Sequence, residues 1–190
     1  MDESSDEALM QAYASGDARS FQTLFTRYEK RLRSFFFRRL SGARQNAVED
    51  LFQITWLKIH QARKKFDSEQ RFGSWAFTIA VNTIRDHVRE ARWKYESVSD
   101  HLEETASTDE SSQSVLQWVD RQFLEEALKK LQDGPREILI LSDIEGFSSS
   151  EIAKMKNKSD SAVRQILVRA RLRLKEFAKL NQGESKKNHG

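Results

Sequence analysis

A stretch of basic and aromatic residues from Lys64 to Arg92 carries the side-chain types that bind single-stranded nucleic acid. Guanidinium and ammonium groups bind phosphates, and flat rings stack on extruded bases. Helical spacing in the second part places Arg85, Arg89 and Arg92 on one helix face. The first part contains Lys64, Lys65, Phe66, Arg71, Phe72 and Trp75. The stretch predicts a nucleic-acid surface; the alternatives are a solvated basic helix and aromatic residues that belong to the core.

A second set of cations follows a helix-turn-helix pattern near the carboxyl end. Ser148 and Glu151 have the spacing of a capping box, Asn157 suits a left-handed turn, and Ser159 suits the cap of a following helix that starts at Asp160. Arg and Gln near the start of such a helix contact base edges in the major groove, while later cations suit phosphates. These side chains are Arg164, Gln165, Arg169, Arg171, Arg173 and Lys175. The pattern predicts binding to duplex DNA.

The sequence has no arrangement typical of an enzyme or a metal site. Its four histidines are scattered, and it has no cysteine and no Gly-rich phosphate loop. Asp86 and His87 are neighbours on a predicted helix, so their side chains diverge. We expect a protein that is not an enzyme, with no catalytic residue, metal, cofactor or small-molecule substrate.

Length and charge set the limits of the architecture. The 190 residues suffice for one or two small domains. The 32 basic and 29 acidic residues give a net charge of +3, but the charges are segregated into blocks. No apolar run approaches the ~20 residues of a membrane span, and the acidic start has the wrong sign for a secretory leader. We expect a soluble, cytoplasmic protein without membrane insertion.

Helical periodicity covers almost the whole chain, and seven glycines and one proline leave few turn signals. Helices are predicted at residues 6–14, from the N-cap Asp17 to about 40, from about 47, at 115–131, 136–143 and 149–156, and from 160 to about 180. Residues 97–113 are rich in Ser, Thr, Asp and Glu, which predicts an extended linker. The fold class is therefore all-α. Two small helical domains, 6–95 and 117–178, are joined by an acidic flexible linker, 96–116, and followed by a polar tail, 179–190, in which residues 181–190 are expected to be disordered.

The third predicted helix separates apolar from polar side chains. Its apolar stripe consists of Val48, Leu51, Phe52, Thr55 and Ile59. The polar side chains outside this stripe are Glu49, Asp50, Gln53 and Lys58. Carboxylate and amide groups on a packed helix could dock a partner, or could simply be solvated.

Three motifs resemble the extracytoplasmic-function (ECF) class of bacterial sigma factors. They are the sequences EDLFQ at 49–53, FGSWAFTIAVN at 72–82, and EIA at 151–153 with RAR at 169–171. That family provides the promoter-specificity subunits of bacterial RNA polymerase. The resemblance implies that residues 6–95 are region two, that residues 117–178 are region four with its helix-turn-helix, and that the linker joins them.

The resemblance also implies a role for each region. Region two would bind the clamp helices of the polymerase beta-prime subunit and the melted minus-10 element, with Asn82 at the pocket for a flipped base. Region four would bind the minus-35 element as duplex and sit on the beta flap. The implied residues are Asp50, Gln53, Ile54 and Lys58 for core polymerase; Lys64, Phe66, Phe72, Trp75, Asn82, Arg85, Arg89 and Arg92 for minus-10 DNA; and Ser161, Arg164, Gln165, Val168, Arg169 and Arg171 for minus-35 DNA.

The predicted function is that of an ECF sigma factor that binds core polymerase and directs promoter recognition and opening. Ile54 stands where the family usually has a glutamate, so an apolar contact is expected there. Most members are held inactive by an anti-sigma factor, which makes such a protein a candidate partner. The alternative is a helix-turn-helix regulator that acts without being a polymerase subunit. A response-regulator-like activator would show alternating strand and helix patterns in its first half, whereas residues 6–95 show helical patterns.

Overall fold

A computed structural model describes residues 4–40, 45–96 and 124–187, and the side chains of residues 4–40, 46–90 and 124–178. Within these residues the chain is helical and forms no strand, which confirms the all-α prediction. The helices are α1 (Asp6–Ala14), α2 (Ala18–Arg39), α3 (Gln45–Ala62), α4 (Phe72–Glu96), α5 (124–129), α6 (Asp133–Leu139), α7 (Ser149–Lys156) and α8 (Asp160–Lys187). A short 3₁₀ helix (Arg63–Lys65) follows α3, and a π-helical turn (Ile140–Ile144) follows α6.

The helices divide into two compact units. Helices α1, α3 and α4 and nearly all of α2 belong to the first unit, and α5 to α8 belong to the second. The predicted linker and the start of the helix predicted at 115–131 lie outside the described residues. The domain boundaries therefore stay predictions.

In the first unit, helices α1 and α2 begin at the residues that the sequence predicts. The Ser5 hydroxyl accepts a hydrogen bond from the Ala8 N–H at 3.1 Å, and α1 begins at the next residue. Asp17 accepts from the Arg19 and Ser20 N–H groups at 3.0 and 3.2 Å, which confirms it as the N-cap of α2. The predicted apolar stripe of α3 is buried in full. The largest fully buried side chains of this unit are Met10, Leu24, Leu32, Phe35, Phe36, Leu51, Ile59, Phe72, Phe77 and Ile84.

The second unit contains the predicted helix-turn-helix. Ser148 and Glu151 form a complete capping box at the start of α7. Asn157 ends α7 in the left-handed conformation, with φ 50° and ψ 52°, and the Ser159 hydroxyl accepts from the Ala162 N–H at 3.2 Å. The buried side chains Ile152, Ala153, Val163, Leu167 and Ala170 come from α7 and α8. Local capping and turn chemistry thus fixes the geometry between α7 and α8.

Two helix boundaries differ from the prediction. Helix α6 begins at Asp133 instead of Arg136, so Asp133, Gly134 and Pro135 form its first turn. Pro135 is tolerated there because an N–H in the first turn has no partner within the helix. Helix α8 continues to Lys187 instead of ending near residue 180, and the segment contains many strong helix formers. The prediction of disorder is therefore wrong for residues 181–187, which are helical.

Candidate nucleic-acid interface

The outer side of α3 presents four exposed side chains in one stripe. Asp50, Gln53, Ile54 and Leu57 follow one another at steps of three, one and three residues. Ile54 is 41% exposed and Leu57 is 55% exposed, on a helix whose other side is packed in the core. These four residues are called the α3 face below. Exposed aliphatic side chains beside a carboxylate and an amide are typical of a docking surface.

Two features of the α3 face were not predicted. The sequence interpretation selected polar groups and Ile54 and missed Leu57, although Leu57 continues the helical spacing from Gln53 and Ile54. Lys58, predicted to contact polymerase, lies at the edge of the stripe. Its ammonium group bonds Asp86 of α4 at 3.2 Å. The face is therefore more apolar at its centre than the predicted residues suggested.

The segment between α3 and α4 places two aromatic rings near the surface. Lys64, Lys65 and Arg71 are exposed, and the rings of Phe66 and Trp75 are partly exposed. These two rings meet edge to face with their centroids 5.1 Å apart. Edge-to-face pairs of this kind contribute about 0.5–1.5 kcal/mol beyond the surface area that they bury.

Phe72 differs from the other aromatic residues of this segment. Its side chain is fully buried and meets the Tyr28 ring edge-on at 5.0 Å. The direct DNA contact predicted for Phe72 is therefore corrected: its burial favours the alternative that it belongs to the core. Its buried ring packs against the two partly exposed rings, with centroid distances of 6.0 Å to Phe66 and 6.1 Å to Trp75.

Helix α4 continues the cationic surface. Asn82 is partly exposed, and Arg85 and Arg89 are exposed at steps of three and four residues, so all three share a face. The Arg89 side chain is 70% exposed and lies 3.4 Å from Asp86. The side chain of Arg92 lies outside the described part of α4. The residues called the loop–α4 surface below are Lys64, Lys65, Phe66, Arg71, Trp75, Asn82, Arg85 and Arg89.

Helix α8 presents its predicted DNA-binding side chains on the side away from the core. Ser161, Arg164, Gln165, Val168 and Arg169 are all exposed. Arg164 is 65% exposed and pairs with Asp160 at 2.9 Å. The sequence interpretation missed Leu172, which is 55% exposed one turn after Val168.

Arg171 is held differently from Arg164. Its Nη2 and Nε atoms donate to the two carboxylate oxygens of Asp143 at 2.6 and 3.0 Å, and Nη2 also donates to the Ser142 hydroxyl at 3.3 Å. The hydrogen bond from Arg171 holds the pKa of the Asp143 carboxyl below its ordinary value. Arg171 therefore ties α8 to the π-helical turn, while its side chain stays 53% exposed, and its DNA contact stays a prediction.

No helix in the described ranges is long and apolar enough to cross a membrane. Among the residues whose placement is described, no group of three or more His, Asp or Glu side chains could hold a metal ion.

The chain is similar to known proteins along most of its length. The family model for sigma-70 region 2 matches residues 24–94, and the model for sigma-70, region 4 matches residues 121–174. RNA polymerase sigma factor CarQ of Myxococcus xanthus is 32% identical over 171 residues, which cover 88% of this chain and 94% of that protein. ECF RNA polymerase sigma factor SigF of Caulobacter vibrioides is 32% identical over 167 residues, which cover 86% of this chain and 88% of that protein.

The fold is similar to that of a solved sigma-factor complex. The structure of CnrH in complex with the cytosolic domain of CnrY has a TM-score of 0.66 and 27% sequence identity, and the match covers 92% of this chain and 97% of that chain. The two family models lie in the order that the resemblance of the sequence motifs implies. The chain belongs to the extracytoplasmic-function class of the sigma-70 family of RNA polymerase sigma factors.

Proposed function

We propose that three surfaces divide the work of this sigma factor, which binds core RNA polymerase and directs promoter recognition and opening. The α3 face binds the clamp helices of the beta-prime subunit. The loop–α4 surface binds the melted minus-10 element, and α8 binds the minus-35 element as duplex. The protein catalyses no reaction itself and acts with polymerase in the cytoplasm.

The composition of the loop–α4 surface is the observation that carries this proposal. Phe66 and Trp75 present braced rings, and base stacking on such rings contributes about 1–3 kcal/mol per base. The Asn82 amide can both donate to and accept from a base edge. Arg85 and Arg89 lie along the same helix face, where guanidinium groups bind successive phosphates. Together these groups suit a strand with one base extruded.

The α3 face suits a protein partner better than a nucleic acid. Ile54 and Leu57 put aliphatic surface beside Asp50 and Gln53, and the only charge among these four residues is negative. Covering one such aliphatic side chain fully contributes about 1.5–3 kcal/mol. The apolar Ile54 stands where the family usually has a glutamate, so we propose that apolar contact replaces a polar one in this docking. Lys58 stays at the edge through its bond to Asp86.

Helix α8 suits a duplex groove. Arg164 and Gln165 lie near the start of the helix, where side chains reach guanine and adenine edges, and Val168 can contact a thymine methyl group. We expect the free protein to bind promoter DNA poorly. In the complex with core polymerase, with region four on the beta flap, each DNA contact raises the effective concentration for the other.

An anti-sigma factor is a further candidate partner. The related CnrH was solved in complex with the cytosolic domain of CnrY. A protein that covers the exposed aliphatic side chains of the α3 face would compete with core polymerase for them. A competition assay between purified core polymerase and a candidate inhibitor would detect this partner.

Two substitutions separate core binding from promoter opening. Leu57→Asp should weaken binding to core polymerase by about tenfold or more, because it buries an unpaired carboxylate in an apolar contact. Asn82→Ala should leave core binding within about twofold and reduce promoter opening, because base contacts form only with melted DNA. Core binding is measured by titration with labelled core polymerase, and opening by the reactivity of unpaired thymines.

The matched control is Gln22→Asp, which adds the same charge at an exposed position of α2. It should bind core polymerase like the wild type. An equal loss of core binding in the Asn82→Ala and Leu57→Asp variants would contradict the division of roles.

A further inference from the structure

Glu7 of α1 caps a helix that begins far along the chain. Its Oε1 atom accepts a hydrogen bond from the backbone N–H of Phe72 at 2.9 Å, across 65 residues of sequence. Phe72 is the first residue of α4, so this N–H is one of those that the helix cannot pair by itself. The carboxylate also lies at the positive end of the α4 dipole. Glu7 therefore fixes the point at which the loop–α4 surface enters its helix.

Asp6, the neighbour of Glu7, binds two side chains of α2 that lie next to this region. Its carboxylate accepts from the Tyr28 hydroxyl at 2.6 Å and from the Arg27 guanidinium at 2.7 Å. The Tyr28 ring is 4% exposed and packs edge-on against Phe72. Burial, followed by the bond to Asp6, raises the pKa of Tyr28, so its hydroxyl remains a donor.

Phe72 connects Glu7 and Tyr28 to the partly exposed rings of Phe66 and Trp75. It contacts both Phe66 and Trp75, and these two rings contact each other. Hydrogen bonds within the loop, such as Gln70 N to Asp67 O at 3.1 Å, join near neighbours and fix only a local turn. The bond from Glu7 is long-range, so it relates the loop to the packed body of the first unit.

We propose that Glu7 and Asp6 are positioning residues for the binding of melted promoter DNA. Helix α1 positions Phe72 through the hydrogen bond of Glu7 to the Phe72 N–H and the hydrogen bond of Asp6 to Tyr28. Phe72 in turn packs against Phe66 and Trp75 and keeps their rings in the orientation that stacks on a base. This inference rests on the proposed function of the loop–α4 surface. It extends the DNA-binding apparatus to α1, an element that contributes no side chain to that surface.

The test uses full-length variants assembled with core polymerase and a labelled promoter fragment whose minus-10 element is already unpaired. Glu7→Ala should weaken binding to this fragment about three- to tenfold, the range of a lost helix cap. Glu7→Gln should bind within about twofold of the wild type, because its amide oxygen can still accept the Phe72 N–H. Gln11→Ala, at an exposed position of the same helix, should bind like the wild type. Core binding should be unchanged in all three.

Tyr28→Phe gives a second test that does not change α1. It keeps the ring against Phe72 and removes only the hydroxyl bond to Asp6, while Asp6 retains Arg27 as a partner. We expect binding to the unpaired fragment to weaken about two- to tenfold, the range of the net contribution of an ordinary intramolecular hydrogen bond. Because the packed ring remains, this variant should fold even if Glu7→Ala lowers stability.

Trp75→Ala distinguishes a failure of this inference from a failure of the proposed function. If Trp75→Ala weakens binding while Glu7→Ala and Tyr28→Phe bind like the wild type, α1 does not position the rings and the inference is overturned. Equal defects in Glu7→Ala and Glu7→Gln would also overturn it, because the hydrogen bond would not be the cause. If Trp75→Ala itself binds like the wild type, the proposed function of the loop–α4 surface fails instead.

Discussion

The loop–α4 surface and α8 carry similar cations beside different neighbours. Arg85 and Arg89 of α4 accompany the rings of Phe66 and Trp75, whereas Arg164 of α8 accompanies an amide and exposed aliphatic side chains. Rings stack on unpaired bases, while amide and aliphatic groups fit the edges of paired bases in a groove. The side chains beside the cations therefore distinguish a surface suited to melted DNA from one suited to duplex.

A third group of cations, on α2, serves the fold. Arg27 pairs with Asp6 at 2.7 Å. Arg33 pairs with Glu29 at 3.2 Å and with Glu49 of α3, and its guanidinium lies 4.0 Å from the centre of the Phe52 ring. These contacts join α2 to its neighbours in the first unit. A basic block in the sequence can thus be structural, and only its partners distinguish it from a binding surface.

The largest expected effect is a difference in stability between variants of Phe72, which lies in the core, and of Trp75, which lies at the surface of the same motif. Phe72→Ala should lower the free energy of unfolding of the first unit by about 3–5 kcal/mol, because it leaves a cavity in the core. Trp75→Ala should cost much less, because its ring is partly exposed. Urea denaturation of the two variants measures the difference. Equal losses of stability would place both rings in the core and remove the basis for stacking on DNA.

The next effect tests the surface for melted DNA. Trp75→Ala should weaken binding of the polymerase complex to the unpaired minus-10 fragment by about 1–3 kcal/mol, the contribution of one stacked base. Trp75→Phe retains a ring and should recover much of the loss. Binding of the complex to a duplex minus-35 fragment should not change. A similar loss on both fragments would show that Trp75 acts through folding.

A substitution on α8 should weaken binding to duplex DNA instead of binding to unpaired DNA. Arg164→Ala should weaken binding to duplex minus-35 DNA by about 1–3 kcal/mol and relax sequence preference at one position. Arg173→Ala, at another exposed position of α8, should weaken binding about uniformly across sequences. Competition binding with single-base variants of the promoter measures both. A uniform loss for Arg164→Ala would refute a base contact.

The smallest effect concerns the pair that holds α8. The pKa of Asp143 is lowered in the folded state by the hydrogen bond from Arg171, so the ionised carboxylate favours folding. This stabilisation is present above the unfolded pKa of about 3.9 and is lost as the pH falls through the lower folded value. Asp143→Asn should lower the unfolding free energy at neutral pH by less than about 1 kcal/mol, since the pair is solvent-accessible.

Thermal melts at neutral pH and at about pH 3 or below measure this dependence. The difference between wild type and Asp143→Asn should shrink as Asp143 becomes protonated. A difference that stays constant over this range would show that the charge of Asp143 does not contribute.

The sequence predicted the features that depend on neighbouring residues. The capping box of Ser148 and Glu151, the left-handed turn at Asn157 and the buried stripe of α3 all follow from local spacing, and the structure confirms them. The family motifs likewise lie within short segments. The helical fold and the location of the candidate surfaces were therefore predictable.

The features that were missed depend on contacts between distant residues. The partner of Arg171 lies 28 residues away, and the cap that Glu7 gives to α4 spans 65 residues. Which of Phe72 and Trp75 faces the core depends on Tyr28 of another helix. Neither the composition of the segment nor helical periodicity contains information on such partners, so the interpretation of the sequence assigned the buried Phe72 to DNA.

A run-off transcription assay tests the central claim most directly. Purified protein is added to bacterial core polymerase on a library of promoter fragments, and transcripts are compared with those from core polymerase alone. The account predicts transcripts from defined start sites only when the protein is present, and their loss with Asn82→Ala. If core polymerase neither binds the protein nor gains specificity, while the protein alone binds duplex DNA, the account is contradicted.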